Sequence, residues 1–172
     1  FLHEVTMERI LIIGCSGSGK STLARQLGER LNIPVIHLDR LWWRPGWVHI
    51  TREEFVDAVA KEMEKPQWIL DGDFNSTLPQ RLAQCDTVLY LDYRRFVCIY
   101  GVLKRILVTG GKVRTDMSEG CPERFDWAFL KWIWKWRRNN RAEHLRLLSQ
   151  MWHGQVHIFR NRRQLRKFLE QV

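Results

Sequence analysis

Ile10-Leu11-Ile12-Ile13 runs into Gly14-Cys15-Ser16-Gly17-Ser18-Gly19-Lys20-Ser21, and from there a helical period sets Leu23, Leu27 and Leu31 on one face. The spacing G-x-x-x-x-G-K-[ST], between a short β-rich run and a helix, is the context a phosphate-cradling loop requires. Glycines at 14, 17 and 19 let the backbone wrap closely around phosphate oxygens with its N–H groups inward. The helix aims its positive end at the same anion. Gly14, Cys15, Ser16, Gly17, Ser18, Gly19, Lys20, Ser21 and Thr22 therefore form the candidate nucleotide-binding set. Lys20 reaches the β- and γ-phosphates and is a catalytic candidate; the Ser21 hydroxyl is placed to ligate Mg²⁺. The implied cofactors are ATP or GTP with Mg²⁺.

Working outward, Val35-Ile36-His37-Leu38 reads as a second strand that delivers Asp39 at its end. A loop rich in aromatics and glycine follows from Leu41 to Ile50, and Thr51 with Glu54 forms a capping box that starts a helix. Trp68-Ile69-Leu70 is a third strand ending at Asp71-Gly72-Asp73, and Thr87 to Leu91 a fourth ending at Asp92. A helix is predicted from Arg95 to Leu107, an irregular glycine-bearing stretch from Thr109 to Pro122, and a long helical region from Glu123 to Trp152 with Asn139-Asn140 as a candidate break. Val156 to Phe159 reads as a fifth strand and Arg162 to Glu170 as a closing helix. This alternation predicts an α/β fold: a P-loop NTPase three-layer sandwich with about five parallel strands, helices on both faces and a lid near 109–122. One domain over 7–172 is the economical division. Phe1 to Thr6 lack the basic start and apolar stretch of a secretory signal and read as a tail ahead of Met7.

Ligands of open α/β sheets sit at the carboxyl ends of the strands. Asp39, Asp71, Asp73 and Asp92 all fall there, beside the phosphate loop. Asp71, after three apolar residues, fits a Walker-B acid that holds Mg²⁺ directly or through water. Asp39 is a candidate acceptor of a hydroxyl proton or a partner standing behind the metal; turn-forming aspartates are the alternative at such ends. Asp73 is a candidate acceptor-binding residue, and Asp92 reads as a turn or helix cap. Trp42, Trp43 and Trp47 lie after Asp39, where they could wall a substrate pocket. Arg105, Lys112 and Arg114 flank or occupy the stretch 110–120; cations arriving on lid closure would stabilise a transferring phosphoryl group, a solvated loop being the alternative.

The formal charge of +9 is uneven: residues 1–90 hold 10 Lys/Arg against 12 Asp/Glu, and residues 91–172 hold 18 against 7. A basic half attracts nucleic acid, acidic surfaces or polyphosphates. Trp127, Leu130, Trp134, Arg141, Leu145, Leu148 and Trp152 follow a helical stripe, with Phe125, Phe129, Trp132 and Trp136 on a second, so an apolar helix packed on two sides is preferred over a base-stacking surface. Weak, sequence-independent nucleic-acid binding is the most the charge implies. No apolar run reaches the length of a membrane span. Cys15, Cys85, Cys98 and Cys121 show no pairing or CxxC pattern, which points to reduced thiols in a cytoplasm.

Ile10 to Ser21, Asp39 with Trp42-Trp43, Trp68 to Gly72, and Arg105 through Arg114-Thr115-Asp116-Met117 to Gly120-Cys121-Pro122-Glu123-Arg124-Phe125-Asp126 together resemble the bacterial DNA topology modulation (FlaR-like) family, within the adenylate-kinase-like P-loop kinases. The resemblance spans roughly residues 7–170. It implies Mg-ATP, a mobile lid, roles for Arg105 and Arg114 near the phosphates, and a base-binding loop at Arg160 and Asn161. After Asp71-Gly72, nucleotide monophosphate kinases of this kind usually continue with an aromatic, proline and arginine; here Asp73-Phe74-Asn75 stands instead, with Arg81 as the candidate replacement for the missing substrate-gripping cation. A zinc-held lid is excluded because Cys121 stands alone. The expectation is a phosphotransferase acting on a small hydroxyl- or phosphate-bearing acceptor. A kinase of nucleic-acid 5′-hydroxyl ends and an ATP-binding regulator of DNA topology are the alternatives. The oligomeric state is open.

Overall fold

Strands buried on both faces need continuous apolar runs, and three segments meet that demand here. Ile10–Ile13, Trp68–Leu70 and Val88–Leu91 have no exposed surface at all. In the computed structural model, which describes residues 7–150 and 153–172, these runs form the centre of a five-stranded parallel sheet. Its strands are β1 (Arg9–Gly14), β2 (Val35–His37), β5 (Trp68–Asp71), β6 (Thr87–Leu91) and β7 (Gln155–Phe159), in spatial order β2-β5-β1-β6-β7. The intervening β3 (Trp43–Arg44) and β4 (Val48–His49) make a separate antiparallel hairpin. Helices α1 (Lys20–Leu31), α3 (Arg52–Met63), α4 (Leu78–Gln84), α5 (Arg95–Thr109), α6 (Trp127–Ser149) and α7 (Arg162–Leu169) flank the sheet, and the short α2 (Leu38–Trp42) leads into the hairpin. The chain leaves β1 for β2 on one side and returns through β5 to β6 on the other, so the sheet's switch point lies beside β1, where ligands bind.

The five predicted strands, the Thr51–Glu54 capping box and the closing helix are all present. Three local readings are corrected, and one helix is added. Asp39 does not end a strand: β2 stops at His37, and Asp39 sits in the first turn of α2 because Leu38 is drawn into the core against the backbone of Gly72. The segment read as loop 41–50 contains the hairpin, turned by Gly46 and Trp47 at φ of 80° and 61°. Residues 78–84 form a helix with proline in its first turn, where a missing N–H costs nothing. Helix α6 begins at Trp127, with the Asp126 carboxylate accepting from Ala128 and Phe129 N–H, and runs without a break at Asn139-Asn140. Asn140 supports it by donating to the Trp136 carbonyl at 3.0 Å and accepting from Asn75 at 2.7 Å.

The aromatic stripe is likewise only half right. Ile133, Trp136, His144 and Leu148 form the buried face of α6, whereas Trp127 and Trp134 are 70% and 43% exposed. Trp152 and residues 1–6 lie outside the described residues. No helix among the described residues is long and apolar enough to cross a membrane.

Replacing Thr51 by Ala removes the hydroxyl that accepts from Glu54 N–H at 3.2 Å, and should cost about 1 kcal/mol of stability. Urea unfolding of the two proteins measures this, and nucleotide affinity should be unchanged because the cap lies outside the phosphate loop.

Candidate active site

The loop from Gly14 to Gly19 closes on itself through Ser18 N–H donating to the Cys15 carbonyl at 3.2 Å, and Lys20 Nζ folds back to the same carbonyl at 3.0 Å. Gly19 precedes α1 and leaves it without a side-chain cap. Its first N–H groups are left to an anion. Gly17 has φ of 80°, and a Cβ there would lie 2.1 Å from the Cys98 carbonyl oxygen of α5. The reciprocal contact is as tight: a Cβ on Gly101 would lie 2.1 Å from the Gly17 carbonyl oxygen. The loop therefore rests directly on the α5 backbone.

Beyond the lysine, Ser21 Oγ donates to Asp71 Oδ2 at 2.6 Å, and His37 Nδ1 lies 2.7 Å from that same oxygen. Asp71 is buried, at the end of β5. No cluster of three or more imidazole, thiol or carboxylate groups able to cage a metal occurs among the described residues. One hydroxyl and one carboxylate suit Mg²⁺, which keeps waters and takes phosphate oxygens rather than a full protein cage.

The segment after α5 lies across this corner. Arg105 Nε is 3.0 Å from Glu123 Oε2, Arg114 Nε is 2.9 Å from the same oxygen, and Arg114 Nη1 donates to Asp116 Oδ2 at 3.0 Å. Burial opposes ionisation of Asp116, but the Arg114 guanidinium and the Ser21 hydroxyl outweigh it and hold the carboxyl below its ordinary range. Ser118 Oγ donates to the carbonyls of Arg40 and Trp43, and Gly46 N–H donates to the Gly120 carbonyl at 2.8 Å. Arg25 of α1 reaches Thr115 Oγ1 at 3.0 Å. The segment thus spans from the phosphate-loop helix to the hairpin, roofing a cavity of about 1130 Å³.

Asp39, Trp43, Asp71, Asp73, Lys20, Ser21, Arg105 and Arg114 all line that cavity, together with Trp47, Phe74 and Trp132. Burial pushes the Asp39 carboxyl up, nearby Arg114 opposing this and Asp71 adding to it. Burial also raises Asp73, whose Oδ2 accepts from Trp136 Nε1 at 2.8 Å. One expectation fails on geometry. Arg81 is fully buried and spends its guanidinium on the carbonyls of Gly72, Asp73 and Phe74 at 2.8–2.9 Å and on Thr77 Oγ1 at 3.0 Å, so it props the loop carrying Asp73 and does not face the cavity. Arg160 and Asn161 line a separate, adjoining cleft; Asn161 caps α7, and only its neighbour Arg162 borders both spaces.

His37, Asp116 and Glu123 were not singled out from the sequence. His37 carried a usable signal, since it stands two residues before Asp39 at a strand end on the binding rim. Asp116 and Glu123 stand in the run that carries the family resemblance, but only the lid's fold brings them to the arginines.

A family model described as an AAA domain matches residues 10–95. The fold is similar to shikimate kinase from Bacteroides thetaiotaomicron, with 17% identity, 96% of each chain covered and a TM-score of 0.56. It is equally similar to shikimate kinase from Acinetobacter baumannii solved in complex with shikimate: 16% identity, 96% of this chain and 93% of that one covered, TM-score 0.56. At that identity the likeness speaks for the fold alone.

Two substitutions probe the site. Alanine in a helix interior is normally favoured over glycine by about 1 kcal/mol, yet Gly101→Ala should weaken nucleotide binding by forcing the loop away from α5; calorimetric titration with an ATP analogue reads the effect. His37→Ala should raise the Mg²⁺ concentration needed for half-maximal nucleotide binding, while His37→Asn, which keeps a donor near Nδ1, should restore much of it.

Proposed function

Because the chain belongs to the AAA domain family, we propose that it is a P-loop phosphotransferase that moves the γ-phosphoryl group of Mg-ATP to the hydroxyl of a small acceptor. One observation carries this reading: a phosphate loop with its lysine, a Ser21–Asp71 corner, a carboxylate of raised proton affinity at Asp39, Arg105 of α5 and Arg114 of the lid all border one roofed cavity.

Bound Mg²⁺ would offset charge on the β- and γ-phosphates, held through Ser21 and Asp71. The chain's own groups do the rest. Lys20 and the loop N–H groups bind and orient the triphosphate. Asp39 accepts the proton of the acceptor hydroxyl as its oxygen bonds to the γ-phosphorus and the bond to the β-phosphate oxygen breaks, leaving ADP. Arg105 and Arg114 approach the transferring group once phosphate oxygens compete with Glu123 and Asp116 for them. Closure of the lid over bound nucleotide would exclude water, which would otherwise take the phosphoryl group. The single-domain division, the narrower DNA topology modulation family and cytoplasmic residence belong to the same proposal. The first is supported by one continuous core, the second by the lid run Arg105 to Asp126, the third by four buried thiols. The acceptor class is what a screen of nucleosides, nucleotides, hydroxylated metabolites and 5′-hydroxyl oligonucleotides for ATP-dependent phosphorylation would decide.

Lys20→Ala should lower kcat by about 100-fold, a loss near ~3 kcal/mol of transition-state stabilisation, because the neighbouring contacts are neutral N–H groups. Unchanged turnover would sink the assignment. Arg114→Ala should lower kcat far more than it weakens ATP binding, since its phosphate contact belongs to the reacting state. Steady-state kinetics beside equilibrium titration separate the two effects.

A further inference from the structure

A second cleft, of about 910 Å³, opens between the N-terminal end of α5, the middle of α6 and the loop entering α7. Arg94, Arg137, Arg141, Arg160 and Arg162 line it, against one carboxylate, Asp92. That carboxylate is fully buried and is bound through Nε of Arg137 at 3.3 Å and Nε of Arg141 at 2.9 Å. The Nη groups of both arginines are left for another partner. Among the described residues no carboxylate pairs with Arg94, Arg160 or Arg162.

Clustering five guanidinium groups around one carboxylate costs repulsion unless an anion settles among them. The positive ends of α5 and α7 open on the same space and add to the field.

The chemistry is not that of a bare anion site. Phe96 and Tyr100, on successive turns of α5, also line the cleft and are 66% and 62% exposed. Exposed rings beside unspent arginines suit a planar base joined to phosphate. We propose that this cleft binds a nucleotide unit distinct from the ATP of the first cavity, its phosphate among the arginines and its base against Phe96 and Tyr100. The unit is either a free mononucleotide or part of a single strand, and both present the same phosphate and base. The proposal does not rest on phosphoryl transfer by the first cavity.

The test uses the full chain saturated with a non-hydrolysable ATP analogue and a fluorescently labelled oligothymidylate, followed by anisotropy over a range of salt. Arg94→Ala and Arg160→Ala, both at exposed positions, should each reduce the slope of log affinity on log salt by about one. Phe96→Ala and Tyr100→Ala should each weaken binding on the order of tenfold. Lys61→Glu on α3, an equally exposed charge change elsewhere, should bind as wild type. Displacement of the probe by thymidine monophosphate identifies a free nucleotide as the ligand; retention of the probe identifies a strand. Absence of binding by the wild type at low salt, wild-type behaviour of both arginine variants, or displacement of the probe by the ATP analogue itself would each overturn the proposal.

Discussion

The site depends on one close approach of backbone to backbone. Gly17 of the phosphate loop and Gly101 of α5 face each other so tightly that neither position has room for a Cβ. A loop that must present its N–H groups to phosphate cannot also use them to hold its own shape. It is held instead by β1 below, α1 beyond and the α5 backbone beside it. Because α5 also supplies Arg105 and leads into the lid, the same contact sets the distance between the phosphate cradle and the arginines that roof it. A glycine within α5 costs helix stability. That cost is accepted where the helix serves as the loop's support.

The second constraint is electrostatic. Arg114 is 15% exposed and Arg105 22%, and guanidinium groups so placed need partners. Glu123 bridges both, and Asp116 takes the free edge of Arg114. These carboxylates come from the lid itself, so the lid carries its own counter-charges. Asp116 also approaches Ser21, and Ser21 donates to Asp71. Lid, phosphate-loop helix and β5 are thereby linked through one short chain of polar contacts. A triphosphate entering the cavity would compete for the arginines and the serine together, and so would couple lid position to nucleotide occupancy by exchange of partners.

Much of this was legible in the residues. The run Ile10 to Ser21 specifies strand, turn and helix within a dozen positions, because apolar continuity, glycine spacing and helical period agree there. Thr51 and Glu54 fixed a helix start in the same local way. What escaped was non-local. The length of β2 depends on Leu38 packing under Gly72, which no nearby residue announces. The fate of Arg81 depends on a loop that presents three carbonyls to it. In α6 the period is visible but its phase is not: tryptophan at 127, 132 and 134 argued for burial, yet the face toward the core is set by Ile133, Trp136 and His144.

That phase error bears on how the basic half is organised. The excess of arginine after residue 91 divides into two populations with different physics. Arg105 and Arg114 are enclosed and matched by lid carboxylates, as charges withdrawn from water must be. Arg94, Arg160 and Arg162 are exposed at the other end of α5 and find no carboxylate among the described residues. Rotating α6 by its observed phase turns Arg137 and Arg141 toward that second group and ties them to Asp92, the one buried acid at the end of β6. It also leaves Trp134 at the surface, edge-on to Phe96 and covered by Arg95 at 4.6 Å. Net charge alone cannot distinguish these roles. The division appears only when each guanidinium is followed to the group it meets.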